Sequence, residues 1–245
     1  MFRFKHFAVE DDASTMKVGT DAVLLGCLAP LDVEPTPTQV LDVGTGCGVV
    51  ALVVAQRLAG RLRAEGAGAA EPPLRVDAID VDAASVGQAA ANFAASPWNG
   101  ILHASRCALQ QWQNGSDLIV CNPPFFARSL RSVDPRRNAA RHNDTLPYAD
   151  LATHLRRLLS PHGRATLVVP TNVEPALMPH LHEASLSVLR RVYVHHTEHH
   201  RPKRVVLTVV PRPTATEEAH LCLFDGDGCP TETYRALVSD FYLWA

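Results

Sequence analysis

The chain has 245 residues, 47% of them hydrophobic and 20% charged, with a formal net charge of −2. That is room for one large α/β domain and too little for two, and no run approaches the roughly eighteen apolar residues of a membrane span. Six cysteines form no C-x-x-C pair, and charged residues interrupt the aromatics of Met1-Phe2-Arg3-Phe4-Lys5-His6-Phe7, leaving no signal-peptide core, so a reduced, cytoplasmic protein is expected.

The small net charge hides an asymmetry. Residues 1–100 carry 7 basic and 12 acidic side chains, residues 101–212 carry 15 and 7, and residues 213–245 carry 1 and 6. A basic middle between acidic ends is compatible with a one-sided face for a polyanion.

In chain order, Thr20 predicts the N-cap of a helix containing Ala22 to Leu28. Val40-Leu41-Asp42-Val43 reads as a buried strand, followed by a glycine turn and a helix over about 49–62. The segment 60–73, rich in Gly, Ala and Pro, reads as a long flexible surface loop. Leu74 to Asp80 is a second strand, and Asp82 caps a helix from Ala83 to Ser96, stopped by Pro97. Strands over Ile101 to Arg106 and Asp117 to Cys121 follow, then a helix from Ala149 to Leu159 and a strand from Arg164 to Val169. A helix over 175–185 leads to a closing antiparallel pair, Val188 to Val194 and Val205 to Val210. Such alternation predicts a doubly wound, mostly parallel sheet with its ligands at the carboxyl ends of the strands.

Two short segments carry the chemistry. The first is Leu41-Asp42-Val43-Gly44-Thr45-Gly46-Cys47-Gly48, at the junction of a strand and a helix. Glycines at spacing two let the backbone turn tightly against a ligand, and the helix start adds unpaired amides. A dinucleotide fingerprint would need a glycine where Val49 stands. Asp80, at the end of the next strand, could accept hydrogen bonds from two ribose hydroxyls. The second segment is Asn122-Pro123-Pro124-Phe125, directly after the fourth strand and 74 residues beyond Gly48. An exocyclic amino or amide nitrogen is a poor nucleophile because its lone pair is conjugated. Two acceptors on its hydrogens free that lone pair, prolines hold a carbonyl in place, and Phe125 offers a stacking face.

The glycine segment resembles motif I of the Rossmann-like class I methyltransferases, whose sheet is seven-stranded and mostly parallel with helices on both faces. The resemblance implies S-adenosylmethionine as cofactor, with Asp42 near the methionine moiety, Gly44, Gly46 and Gly48 lining the adenosyl pocket, and Asp80 on the ribose. It makes the Asn122 side-chain oxygen and the Pro123 carbonyl the two acceptors. Cys107-Ala108 stands where an acid usually meets the cofactor's adenine, so apolar packing and backbone groups would have to hold that ring. Met16-Lys17-Val18-Gly19-Thr20-Asp21-Ala22-Val23-Leu24-Leu25, the glycine turn, Ser96-Pro97-Trp98, Gln110-Gln111-Trp112, Asn122 to Phe125, Arg204-Val205-Val206-Leu207 and Tyr234 through Leu243 together resemble, in order and spacing, the bacterial tRNA1(Val) adenine-N6 methyltransferases. That family implies methylation of an anticodon-loop adenine, one domain over 1–245, and a segment 1–38 in which Lys17, Thr20 and Asp21 close over the cofactor.

The partner expected is therefore tRNA, with Arg128, Arg131, Arg136, Arg137 and Arg141 on its phosphates. Arg201, Lys203 and Arg204 are assigned to the same surface. His195-x-x-Glu198-His199 fits an inverted zincin pattern, but strand-like flanks and Pro202 make it a hairpin loop, and no metal is expected. A monomer is the default. Methylation of ribosomal RNA at guanine N2, of a protein glutamine amide, and a non-catalytic relative that binds cofactor and RNA stay open as alternatives. About forty residues before the glycine turn are too few for the substrate domain of the glutamine enzymes.

Overall fold

A computed structural model describes residues 1–14, 16–31, 36–64, 74–123 and 146–245. After a short antiparallel ribbon, β1 (Phe2–Arg3) and β2 (Ala8–Val9), come helix α1 (Thr20–Leu28), strand β3 (Gln39–Val43), α2 (Val49–Ala64), β4 (Arg75–Asp80) and α3 (Ala83–Ala94). Then follow β5 (Leu102–Arg106), a 3-10 turn at Leu109–Gln111, β6 (Ser116–Cys121), α4 (Tyr148–Leu158), β7 (Leu159–Pro170) and α5 (Glu174–Glu183). The chain closes with β8 (Ser187–His195), β9 (Arg204–Val210), β10 (Glu217–Cys222) and α6 (Glu232–Val238).

Among the described residues, eight strands form one sheet in the order β10-β8-β9-β7-β6-β3-β4-β5, and only β9 runs against its neighbours, pairing antiparallel with both β7 and β8. The expected mostly parallel sheet is present, with one strand more than the seven expected: β10, parallel to β8 along the outer edge. Alternation of side chains divides the core between the two faces. Val40, Val76, Leu118, Val120 and Val168 point into a cluster with α1, α2, α3 and α6, while Leu41, Ile79, Ile119, Leu167 and Val169 pack against α4 and α5.

Two expectations need correction. Gly19, extended at φ −138°, is the N-cap of α1, and Thr20 is its first helical residue, with no side-chain cap bond at Gly19. The chain can do without one because Ala22 to Cys27 are buried against α2, so packing fixes the start. Secondly, α2 continues to Ala64, so 60–64 are helical, not loop. A Cβ at Gly60 would meet nothing within 4 Å, so packing does not require the glycine, and arginines at 61 and 63 suit the negative end of the helix dipole. The rest of that loop, 65–73, lies outside the described residues. Asp82 caps α3 as expected, accepting from the Ser85 amide at 2.8 Å.

Candidate active site

The site begins with the turn between β3 and α2. Gly44, Gly46 and Gly48 have φ of +71°, +57° and +86°, the left-handed region that glycine alone enters freely. Each glycine also has its own surroundings. A Cβ on Gly48 would stand 2.5 Å from the Phe93 ring, so there the glycine lets α3 pack against the turn. A Cβ on Gly44 would meet nothing within 4 Å, because that position faces a cavity. The Gly44 and Thr45 amides donate to the Ile79 carbonyl at 2.9 and 3.0 Å, tying the turn to β4.

Two carboxylates brace this turn. Asp42, 1% exposed, lies beneath it and accepts from Thr45 Oγ1 at 2.6 Å and the Ala51 amide at 3.2 Å. Burial pushes its pKa up to about 7, against the two hydrogen bonds that favour the charged form. Asp80 lies beside the turn at the end of β4. One oxygen accepts from the Gly46 amide at 2.9 Å and the other from Asp82 at 3.0 Å. Desolvation raises this acid's pKa too, against hydrogen bonds from the Asp82, Gly46 and Val81 amides that favour the charged form. Cys107 follows β5 on the far side of Asp80, its amide donating to the Asp80 carbonyl at 3.0 Å, and Ala108 comes next in the chain.

The cavity above the turn measures about 470 Å³, well within the range of small-molecule sites. Its walls bring together Lys17, Thr20, Asp21, Gly44 and Gly46 from the expected cofactor set with Asn122 from the expected catalytic set. Asn122 follows β6 directly, half-buried, with no side-chain hydrogen-bond partner among the described residues, and Pro123 behind it is buried. Pro124 and Phe125, like Arg128, Arg131, Arg136, Arg137 and Arg141, lie outside the described residues.

Of the remaining expected cations, Lys203 and Arg204 line the same cavity, whereas Arg201 is exposed on the loop between β8 and β9. Arg204 is ion-paired with Asp21, so the hairpin is joined directly to the first turn of α1 across the cavity. Lys17 reaches back to the Asp11 carbonyl at 2.6 Å, fixing the N-terminal segment. The histidine run forms the hairpin loop expected, and among the described residues no cluster of His, Cys, Asp and Glu could hold a metal ion. Thr45 and Phe224, which no sequence motif singles out, also line this wall. Thr45 could have been suspected from its place between the glycines. Phe224 carries no local pattern and comes into place only through β10.

A model of the methyltransferase small domain matches residues 15–138. Among solved structures, one from Agrobacterium tumefaciens described as a predicted O-methyltransferase superposes with a TM-score of 0.66 at 13% identity, covering 90% of this chain and 96% of that one. The ribosomal protein L11 methylase of Lactobacillus delbrueckii gives 0.51 at 20% identity over 78% and 77%. The sheet, its glycine turn and these matches define a Rossmann-like, S-adenosylmethionine-dependent methyltransferase of class I. Curated tRNA1(Val) (adenine(37)-N6)-methyltransferases match almost end to end: that of Parabacteroides distasonis is 37% identical over 99% of this chain and 97% of its own, and that of Aeromonas hydrophila 35% over 99% and 97%. The chain belongs to this tRNA adenine-N6 methyltransferase family.

Proposed function

We propose that this chain methylates the exocyclic N6 of adenine 37 in tRNA1(Val), binding S-adenosylmethionine over the glycine turn and presenting the amino group to Asn122. The observation that carries this reading is the shared cavity: the open side of Gly44 and the Asn122 side chain line one space.

The residues fit the cofactor. Gly44 leaves room for a ligand against the backbone, and Asp80, already anchored by the Gly46 and Asp82 amides, keeps acceptor capacity for vicinal hydroxyls. The segment 1–38 serves as its cap, with Lys17, Thr20 and Asp21 in the cavity wall. When bound, the cofactor supplies a methyl group already activated on a sulfonium. What remains for the protein is orientation and exclusion of water. Asn122 Oδ1 and the Pro123 carbonyl accept the two amino hydrogens, so the nitrogen lone pair is released from conjugation and held in one direction. No general base is required, because the surplus proton of the product is acidic enough to leave to water. Pro124 and Phe125 would stiffen and stack as the family resemblance implies. The cations at 128–141 and on the hairpin would hold the phosphates.

The test is transfer of tritiated methyl to tRNA1(Val) lacking the modification, followed by nucleoside analysis. Labelled N6-methyladenosine is expected, and it should vanish when adenine 37 is replaced by guanosine. Label appearing only in ribosomal RNA or in a protein glutamine would overturn the reading.

A further inference from the structure

Phe224 is a half-exposed ring in the wall of a cavity that also presents Lys203, Arg204 and Asn122. Its backbone is tightly placed. The Leu223 and Phe224 amides donate to the His195 and His196 carbonyls at 3.0 and 2.9 Å, and the Asp225 amide donates to the Cys229 carbonyl at 2.9 Å. The ring is backed by Tyr234, with centroids 6.1 Å apart, and Tyr234 is in turn backed by Trp244 at 5.8 Å. The exposed His196 ring lies 5.0 Å from it, tilted by 52°. A bond of 2.9 Å between His195 Nε2 and His220 Nδ1 joins the hairpin to β10 beneath this pair.

We propose that Phe224 and His196 form a stacking shelf for one RNA base next to the target adenine. This rests on the reading of the protein as a tRNA methyltransferase and adds to it the contact that positions the loop. Three observations support it. The strand order sets β8, β9 and β10 on the far side of Asn122 from the glycine turn, so these rings do not belong to the cofactor end. Exposed planar rings beside cations are the combination that binds single-stranded nucleic acid, the bases stacking while the cations follow the backbone. The backbone carrying both rings is also tied together by the Leu223 and Phe224 hydrogen bonds to the hairpin, which reduces the ordering needed when a base arrives.

Two measurements test it. The first uses the unaltered protein and full-length tRNA carrying 5-iodouridine immediately 5′ or 3′ of adenine 37, irradiated in the complex. A crosslink mapping to Phe224 or His196 from one of the two positions is expected, and it also tells which neighbour is held. The second compares Phe224→Leu and Phe224→Trp in the methyl-transfer assay. Leucine fills the space without a π face and should raise KM for tRNA about tenfold while the cofactor dissociation constant moves less than twofold. Tryptophan should restore KM. Methyl transfer with no crosslink at either ring overturns the shelf alone, and so does a leucine variant that loses cofactor affinity instead of tRNA affinity. Failure of the unaltered chain to methylate tRNA overturns the shelf together with the function on which it rests.

Discussion

At the scale of single residues, the two carboxylates of the glycine turn differ in what surrounds them. Asp80 keeps an open side, whereas Asp42 is enclosed and has its hydrogen bonds with Thr45 and Ala51. Its folded pKa of about 7 lies above the ordinary carboxylate value, so the folded state binds the proton more tightly than the unfolded chain. The stability this contributes is complete below about pH 4 and is lost as pH rises through 7. Asp42→Asn keeps an acceptor and removes the charge. It should therefore stabilise the fold at pH 8 by about 4 kcal/mol at most, with the gain shrinking at pH 5. Urea unfolding at the two pH values checks this, and an equal effect at both would refute the assignment. That Asp42 is a turn acid could be read from its place two residues before Gly44. That it lies under the turn could not, because its burial is created by Thr45 Oγ1, the start of α2 and the neighbouring strands.

Among the elements, the strands buried on both faces and the edge strand β5 were legible, whereas the opposite edge strand β10 was not. Leu118 to Cys121 of β6 form an unbroken apolar run, and β3 and β4 place apolar residues on both faces around Asp42 and Asp77, because helices cover both sides of the sheet. Glu217–Cys222 offers no such run, being mostly exposed, and forms a strand only because β8 supplies its partner. In the same way α6 is seven residues long, too short to announce itself by periodicity, and is fixed by Thr231 capping and by Tyr234 and Val238 in the core. The contact between α1 and α2 is a feature of neither helix alone. A Cβ on Gly26 would stand 2.6 Å from Val53 Cγ1, so the glycine sets how closely the two helices approach. Gly26→Ala should destabilise the protein by about 1–3 kcal/mol in urea unfolding. No measurable change would mean that the helices have room to separate.

Across the whole molecule, one edge of the sheet gathers what is scattered along 160 residues of sequence, from Gly44 to Arg204. The carboxyl ends of β3, β4, β6 and β8 and the start of the antiparallel β9 all open on the same side, bringing Gly44, Asp80, Asn122, His195 and Arg204 together. The motifs at Gly44 and Asn122 are readable because each is local. Their shared cavity follows from β3 and β6 being neighbours, and the cationic wall opposite depends on the pairing of β8 with β9 and β10. The Asp21–Arg204 pair completes the enclosure by joining the N-terminal segment to the hairpin.

The most direct test of this arrangement is to measure cofactor binding and methyl transfer side by side for Asn122→Ala. In the proposed reaction Asn122 accepts from the target amino group while the glycine turn holds the cofactor, so the cofactor dissociation constant should stay within a fewfold of the original while turnover on tRNA falls by roughly 10²-fold or more. Turnover close to that of the unaltered protein would contradict the account.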